Sequence, residues 1–388
     1  MNPCPVYDSS TEKLFLFFIC VVGNVKEQDQ IKSGHNQTKL CFVTSKDHGD
    51  NWSNAEDLTE SVIGGAYSRW ATFAVGPGHG VRLAAGRLVV PAYAYVRFSA
   101  KGTFEQRALS IFSDDAGVTW HMCDPLGFIS GECEMAEVTE SGVSQLYCSA
   151  RRKGTRLEVV SCDHGEHFKE SSYSGARLAE HEEGCQGSVI SFPAPEPSES
   201  VSTWLAFSHP TKPDRHDLGV YLNRMPMSNS TWDSPMVINK GLSGYSDLAY
   251  NQDDHSFSCL LECGKEPKPG EKSKPERIDF TSFKLDDIRR PRELKMKNVN
   301  LKVGDQLRVK GFIPAGADRF IINLGTGERD VALHFNPTFQ EDGKTLVVCK
   351  ELTAGKWGQE KSQLCPVICR GQNIKVRPQF VLFFSMSA

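Results

Sequence analysis

The chain has 388 residues, 39% of them hydrophobic and 24% charged, with 33 glycines, 20 prolines and a formal net charge of −4. This is the composition of a turn-rich globular protein, not a disordered or fibrous one, and the length predicts one large repeat domain plus a second unit. Lysine and arginine form no broad patch, so nucleic acid is excluded as an expected partner.

In chain order, Leu14–Val22 is the longest apolar run and falls short of the roughly 18 residues a membrane-spanning helix needs. Its aromatic and β-branched content predicts a buried strand. No basic start, apolar centre and small-residue cleavage site precedes it, so secretion is not expected. The thirteen cysteines, an odd number, then read as reduced thiols. A cytoplasmic location is expected, with any membrane contact peripheral.

Short apolar segments follow at Leu40–Thr44, Arg87–Tyr95, Ala108–Ser113, Val143–Ala150, Ser188–Phe192 and Trp204–Ser208, separated by Gly, Pro, Asp and Asn turns. That is an all-β rhythm. One pattern recurs within it. Ser45-Lys-Asp47-His-Gly49-Asp-Asn51-Trp52 and Ser113-Asp-Asp115-Ala-Gly117-Val-Thr119-Trp120 share Ser-x-Asp-x-Gly-x-(Asn/Thr)-Trp, and Ser161-Cys-Asp163-His-Gly165-Glu-His-Phe168 is a weaker third copy. The aspartate can accept from backbone amides ahead of it, the glycine permits positive φ, and the aromatic is expected to anchor the hairpin in a core. Hairpin-closing motifs tens of residues apart predict radially repeated small sheets, a β-propeller. The acidic spacing is too sparse for a calcium loop, and no metal or cofactor is expected.

Farther on, Gly264–Glu276 is charged and proline-rich and reads as a solvated loop, and Arg277–Leu285 alternates as the last propeller strand. A basic connector at 289–297 separates the propeller, residues 1–288, from a second β domain at 298–388. There Asn298–Arg308, Arg319–Asn323, Val331–Phe335 and Thr345–Cys349 alternate without the aspartate turns, which predicts a sandwich.

Several words in the front region, Met1-Asn-Pro-Cys-Pro, Phe73-Ala-Val-Gly-Pro-Gly-His-Gly80, Val90-Pro-Ala-Tyr93-Ala-Tyr95, Gly184-Cys-Gln-Gly-Ser-Val-Ile190 and Gly244-Tyr-Ser-Asp247, closely resemble the vertebrate exo-α-sialidases. The resemblance implies a six-bladed propeller that removes terminal sialic acid from glycolipids, gangliosides in particular, and glycoproteins. By position it implies Tyr245 as nucleophile and Glu132 as the base taking its proton. Arg151 and Arg215 fall where two of the family's three carboxylate-binding arginines stand. Tyr93 and Tyr95 match aromatics beside the glycerol and acetamido groups, Asn2 and Glu27 match polar residues near the sugar, and Glu262 matches the acid that steadies the first arginine.

The chemistry is coherent. A guanidinium fork suits the planar carboxylate of sialic acid, and a neutral tyrosine avoids the repulsion a carboxylate nucleophile would meet there. A phenol with a pKa near 10 is a weak nucleophile until a neighbouring base and positive charge favour its ionisation, and Glu132 with the arginines is expected to supply both. Alternation alone does not separate Glu132 from Glu134 or Glu137, and Arg215 or the tyrosines taken singly would read as a surface ion-pair partner and half-buried strand aromatics. The family's Arg-Ile-Pro word, with its first arginine and the aspartate acid that follows, has no counterpart in this sequence. The expectation is therefore a fragment with an incomplete ring, its first blade largely missing, and turnover lowered on the order of a hundred- to ten-thousandfold for want of the acid.

The tail resembles a galectin through Leu301–Gly311, Phe320-Ile-Ile-Asn-Leu-Gly325, His334-Phe-Asn-Pro337 and Trp357-Gly-Gln-Glu360. The resemblance implies a partial sandwich in which Trp357 faces the apolar side of galactose while His334, Asn336 and Glu360 meet its hydroxyls. Thr338, Lys350 and Ser362 stand where the family has arginine, asparagine and arginine, so β-galactoside affinity is expected to be weak. The alternative to an enzyme is a glycan-binding protein without turnover.

Overall fold

The structure, a computed structural model, describes residues 2–376 except 24, 98–102, 171–177, 179, 181–182, 196–201, 213, 228–231, 266–274, 290–308, 314–318, 328–329, 341–343 and 370–371. The chain divides into two compact units, Met1–Arg290 and Pro291–Ala388. All of the 289–297 connector but Arg289, the strand expected at 298–308 and most of the charged 264–276 insert lie outside the described residues.

In the first unit, β1 (Cys4–Asp8), β2 (Lys13–Val21), β3 (Thr38–Ser45) and β4 (Glu56–Asp57) form an antiparallel sheet in that order. The apolar run is its second strand, where alternation buries Phe15 and Phe17 completely. The second sheet holds β5 (Trp70–Val75), β6 (Val81–Arg82), β7 (Leu88–Arg97), β8 (Phe104–Ser113) and β9 (His121–Met122). The third is β10 (Cys133–Glu140), β11 (Val143–Ala150), β12 (Leu157–Ser161) and β13 (Lys169–Glu170).

The remaining strands are β14 (Ser188–Pro193), β15 (Thr203–Lys212), β16 (His216–Asn223), β17 (Met236–Asn251), β18 (Ser256–Cys263) and β19 (Arg277–Lys284), paired in sequence order. The 16-residue β17 serves two blades: its first half pairs with β16 and its second with β18, with irregular register in each ladder. The described strands thus make five successive meanders of a propeller. Four apolar clusters fill the spaces within and between them.

Among the described residues, four short helical pieces interrupt the all-β rhythm expected from the sequence. Helix α1 (Glu27–Ser33) has Glu27 and Asp29 in its first turn and Lys32 in its last, complementing the helix dipole, and Gly34 ends it at φ 67. Tight helical turns also run over Thr59–Ile63 and Gly64–Arg69, and a single turn, α2 (Leu285–Arg289), follows β19.

Each aspartate motif closes the hairpin between the third and fourth strand of its blade. In the second copy, Ser113 Oγ donates to Asp115 Oδ1 at 2.8 Å, Gly117 N–H donates to Ser113 Oγ at 2.9 Å, and Thr119 N–H donates to Asp115 Oδ1 at 2.8 Å. The first and third copies repeat these bonds through Ser45 and Asp47 and through Ser161 and Asp163. The aromatic slot differs. Trp120 is 5% exposed, with ring centroids 5.5 and 4.7 Å from Phe15 and Phe17 of the preceding sheet. Trp52, expected to be a core anchor, is instead 41% exposed, because no described sheet precedes its own for it to cover.

In the second unit, β20 (Val309–Phe312) pairs with β26 (Asn373–Val376). A separate sheet joins β21 (Ile322–Gly327), β22 (Asp330–Phe339), β23 (Thr345–Thr353), β24 (Lys356–Trp357) and β25 (Lys361–Leu364). These are the described strands of a partial galectin-type sandwich.

Candidate active site

Glu132 immediately precedes β10 and Arg151 immediately follows β11. Their backbones continue that ladder: Arg151 N–H donates to Glu132 O at 2.8 Å and Gly131 N–H to Arg151 O at 2.7 Å. The two side chains are thereby set against each other, with Arg151 Nη1 2.8 Å from Glu132 Oε2. Tyr245 reaches the same point from β17. Its hydroxyl donates to Glu132 Oε1 at 2.5 Å and accepts from Arg151 Nη1 at 3.1 Å.

Arg151 is braced by the Glu183 carbonyl, 3.2 Å from Nε and 2.9 Å from Nη2. Arg215 sits in the turn between β15 and β16 at φ 59, donates to the Gly184 carbonyl at 3.3 Å, and lies over the Tyr245 ring with its Cζ 5.6 Å from the centroid. Both guanidinium groups therefore hang from adjacent carbonyls of one segment. That segment is pinned from within by a buried network. Glu180 accepts from Arg156 Nη1 at 3.2 Å and Cys185 N–H at 2.8 Å, and lies 3.0 Å from His209 Nε2.

Burial, and then the Glu132 carboxylate, push the Tyr245 pKa above its ordinary value, while Arg151 pulls the other way. The expectation that Glu132 and the arginines would both favour an ionised phenol divides here: Arg151 lowers the phenol's pKa, and the Glu132 charge raises it. The Glu132 carboxylate accepts the hydrogen bond of the neutral phenol, and its negative charge opposes a standing phenolate.

Tyr93 and Tyr95 share a face of β7, their ring centroids 6.4 Å apart. Tyr93 is buried and donates to Glu27 Oε1 at 3.3 Å, while Gln106 Nε2 donates to Tyr95 Oη at 2.5 Å. Glu27 is exposed; partial burial of its carboxyl raises its pKa, and the Tyr93 hydrogen bond pulls the other way. Glu262 Oε2 accepts from the Tyr245 backbone N–H at 3.2 Å, and a Cβ on Gly244 would come within 2.6 Å of that oxygen. Asn2 is half-buried ahead of β1 and enters none of these contacts.

Sequence reasoning missed a second group beside this cluster. His79 Nδ1 lies 2.6 Å from Asp247 Oδ1 and 3.6 Å from Glu134 Oε2, and the three could offer metal-ligating atoms within 4.8 Å of one another. The short contact and the satisfied Glu134 oxygens, which accept from Gln186 Nε2 at 3.1 Å and Val189 N–H at 3.0 Å, describe a charge-paired triad. The signal was present in Phe73–Gly80 and Gly244–Asp247, but nothing in the sequence says that these words meet.

In the second unit, His334 Nδ1 is 2.8 Å from Asn323 Oδ1 and its ring is 5.1 Å from that of Trp357. Lys350, opposite His334 across the β22–β23 ladder, lies 4.7 Å over the Trp357 ring and 3.4 Å from Glu360 Oε2. Asn336 Oδ1 is buried with no partner among the described residues.

The BNR repeat-like domain family matches residues 1–258, and the galactoside-binding lectin family matches residues 291–387. Sialidase-3 of Homo sapiens is 43% identical over 328 residues, covering 73% of this chain and 74% of its own. The chain belongs to the sialidase family. Sialidase-2 of Cricetulus griseus is 41% identical over 271 residues, covering 68% of this chain and 71% of its own. Among solved structures, the Hadza microbial sialidase Hz136 superimposes with a TM-score of 0.60 at 24% identity, over 74% of this chain and 53% of that one. This sialidase-family chain therefore has the sialidase propeller fold, followed by a galactoside-binding lectin match.

Proposed function

We propose that the front unit acts as a retaining exo-α-sialidase on sialylated glycolipids, gangliosides among them, and glycoproteins. The observation that carries this reading is the Tyr245 hydroxyl, held 2.5 Å from Glu132 and 3.1 Å from Arg151. Tyr245 Oη attacks the anomeric carbon, the bond from that carbon to the leaving oxygen breaks, and the phenol proton passes to Glu132. Water then displaces the tyrosine from the glycosyl-enzyme: Glu132 returns its proton to the phenol oxygen, and the proton the water loses goes to solvent, where the departed leaving oxygen takes one up. Arg151 and Arg215 hold the sugar carboxylate, Tyr93, Tyr95, Glu27 and Asn2 line the sugar, and Glu262 steadies the β17 backbone at Tyr245.

An aryl sialoside, whose phenolate departs without a proton from an acid, is the substrate of choice for a test, because it reads the Tyr245 step by itself. Release of a fluorescent aglycone that is abolished in Tyr245→Phe supports the proposal, and equal release by both chains refutes it. A cytoplasmic site of action with peripheral membrane contact belongs to the same proposal, supported by thirteen cysteines that are all free of disulfides among the described residues.

The exposed Trp357 face supports a second reading, galactoside binding by the tail through His334, Asn336, Trp357 and Glu360. Retention on a galactoside column, lost in Trp357→Ala, supports it. Flow-through of the parent chain removes it.

A further inference from the structure

The triad of His79, Glu134 and Asp247 is tied to the Tyr245–Glu132 pair by sequence spacing and through the side chain of Gln186. Glu134 lies two residues beyond Glu132 on β10, and Asp247 two beyond Tyr245 on β17. Gln186 closes the link. Its Oε1 accepts from Ser246 N–H at 3.0 Å, and its Nε2 lies 3.0 Å from Ser246 O and 3.1 Å from Glu134 Oε1. The peptide between Tyr245 and Asp247 is thus held to the strand that carries Glu132.

His79 arrives on a loop shaped for close approach. A Cβ on Gly78, at φ 132, would lie 1.6 Å from Glu134 Oε1, and one on Gly80 would lie 2.6 Å from the Val89 carbonyl. Gly80 N–H donates to Pro5 O at 2.7 Å, tying the loop to β1 as well. We propose that His79, together with Gln186, is a positioning residue for the Tyr245–Glu132 pair, fixing the separation of the two strands that carry the phenol and its base. This rests on the proposed roles of Tyr245 and Glu132.

The charges suit the task. Desolvation pulls His79 down, but the Glu134 and Asp247 carboxylates outweigh it and push its pKa up to about 10, so the imidazolium persists at neutral pH. Burial pushes Glu134 up to about 8 against the pull of the imidazolium, so at neutral pH the close ion pair is His79 with Asp247, 2.6 Å away.

The test replaces Tyr245 with 3,5-difluorotyrosine, whose phenol ionises at lower pH than tyrosine's, and follows its titration by fluorine NMR. Removing the His79 cation without moving the strands would push the phenol further up. Parting the phenol from Glu132 and admitting water would lower it. A midpoint about one pH unit lower in His79→Gln supports the proposal, and an unchanged or higher midpoint in a folded variant overturns it. If His79→Gln fails to fold, Gln186→Met, which changes no charge, carries the same expectation and the same overturning result. On an aryl sialoside, both variants with native Tyr245 should lower kcat about tenfold and leave KM within about twofold. Parent-level turnover by Tyr245→Phe would instead sink the nucleophile assignment, and it leaves the titration result to stand by itself.

Discussion

A phenol that donates a short hydrogen bond to a carboxylate surrenders its proton as it attacks, and the cost of losing that acceptor falls on the chemical step. Glu132→Gln is expected to lower kcat on an aryl sialoside by about a hundred- to ten-thousandfold with little change in KM, as steady-state kinetics would show. Arg151→Lys keeps the charge but loses the fork that reaches Glu132, Tyr245 and the Glu183 carbonyl together; a loss of roughly ten- to a hundredfold in kcat/KM is expected, read from the same assay. At this scale the sequence was only partly legible. Family words picked Glu132 from among Glu132, Glu134 and Glu137, and the structure puts Glu132 at Tyr245 and Glu134 in the neighbouring triad. Periodicity could not have made that choice, because Glu132 and Glu134 are separated by one strand repeat. Nor could it show His79 meeting Asp247, a contact that spans 168 positions.

Among the elements, the aspartate motifs were the most legible because their hydrogen bonds are local, each spanning four residues or fewer. Their aromatics were less so, since burial depends on a neighbouring sheet that a local pattern does not encode. Trp120→Ala should cost about 3–5 kcal/mol in denaturant unfolding, whereas Trp52→Ala should stay within about 1 kcal/mol. Gly117→Ala should also destabilise, because the glycine is at φ 81 and a Cβ there would meet Phe15 Cζ at 2.1 Å. The strands expected at Val143–Ala150, Ser188–Phe192 and Leu40–Thr44 lie within β11, β14 and β3, where β-branched and aromatic runs are flanked by turns. Helix α1 was missed because seven mostly polar residues amid strands, with Gln30 the buried one, give no apolar period to stand out.

For the whole molecule, the network of Arg156, Glu180 and His209 ties β12 and β15 to the segment that holds both arginines of the site. Desolvation would raise the Glu180 pKa, but the His209 hydrogen bond and the Arg156 charge outweigh it and hold it down to about 2. The folded state therefore binds fewer protons than the unfolded chain between the ordinary carboxylate range and that value. The stabilisation is present above the unfolded pKa and is lost as pH falls through this window. His209 acts in the same direction, its pKa lowered by burial, so the unfolded chain takes up its proton first on acidification. Unfolding midpoints should drop steeply below about pH 4.5, and Arg156→Met, which strands a buried carboxylate, should cost about 3–5 kcal/mol at neutral pH and flatten that drop.

The placement of the six indole rings also makes the chain its own optical reporter. Four of them, Trp70, Trp120, Trp204 and Trp232, are shielded, while Trp52 and Trp357 face solvent in different units. Iodide should quench only the red-shifted part of the emission. A bound galactoside would protect Trp357 and leave Trp52 quenchable, so occupancy of the tail could be followed in the intact chain without a label.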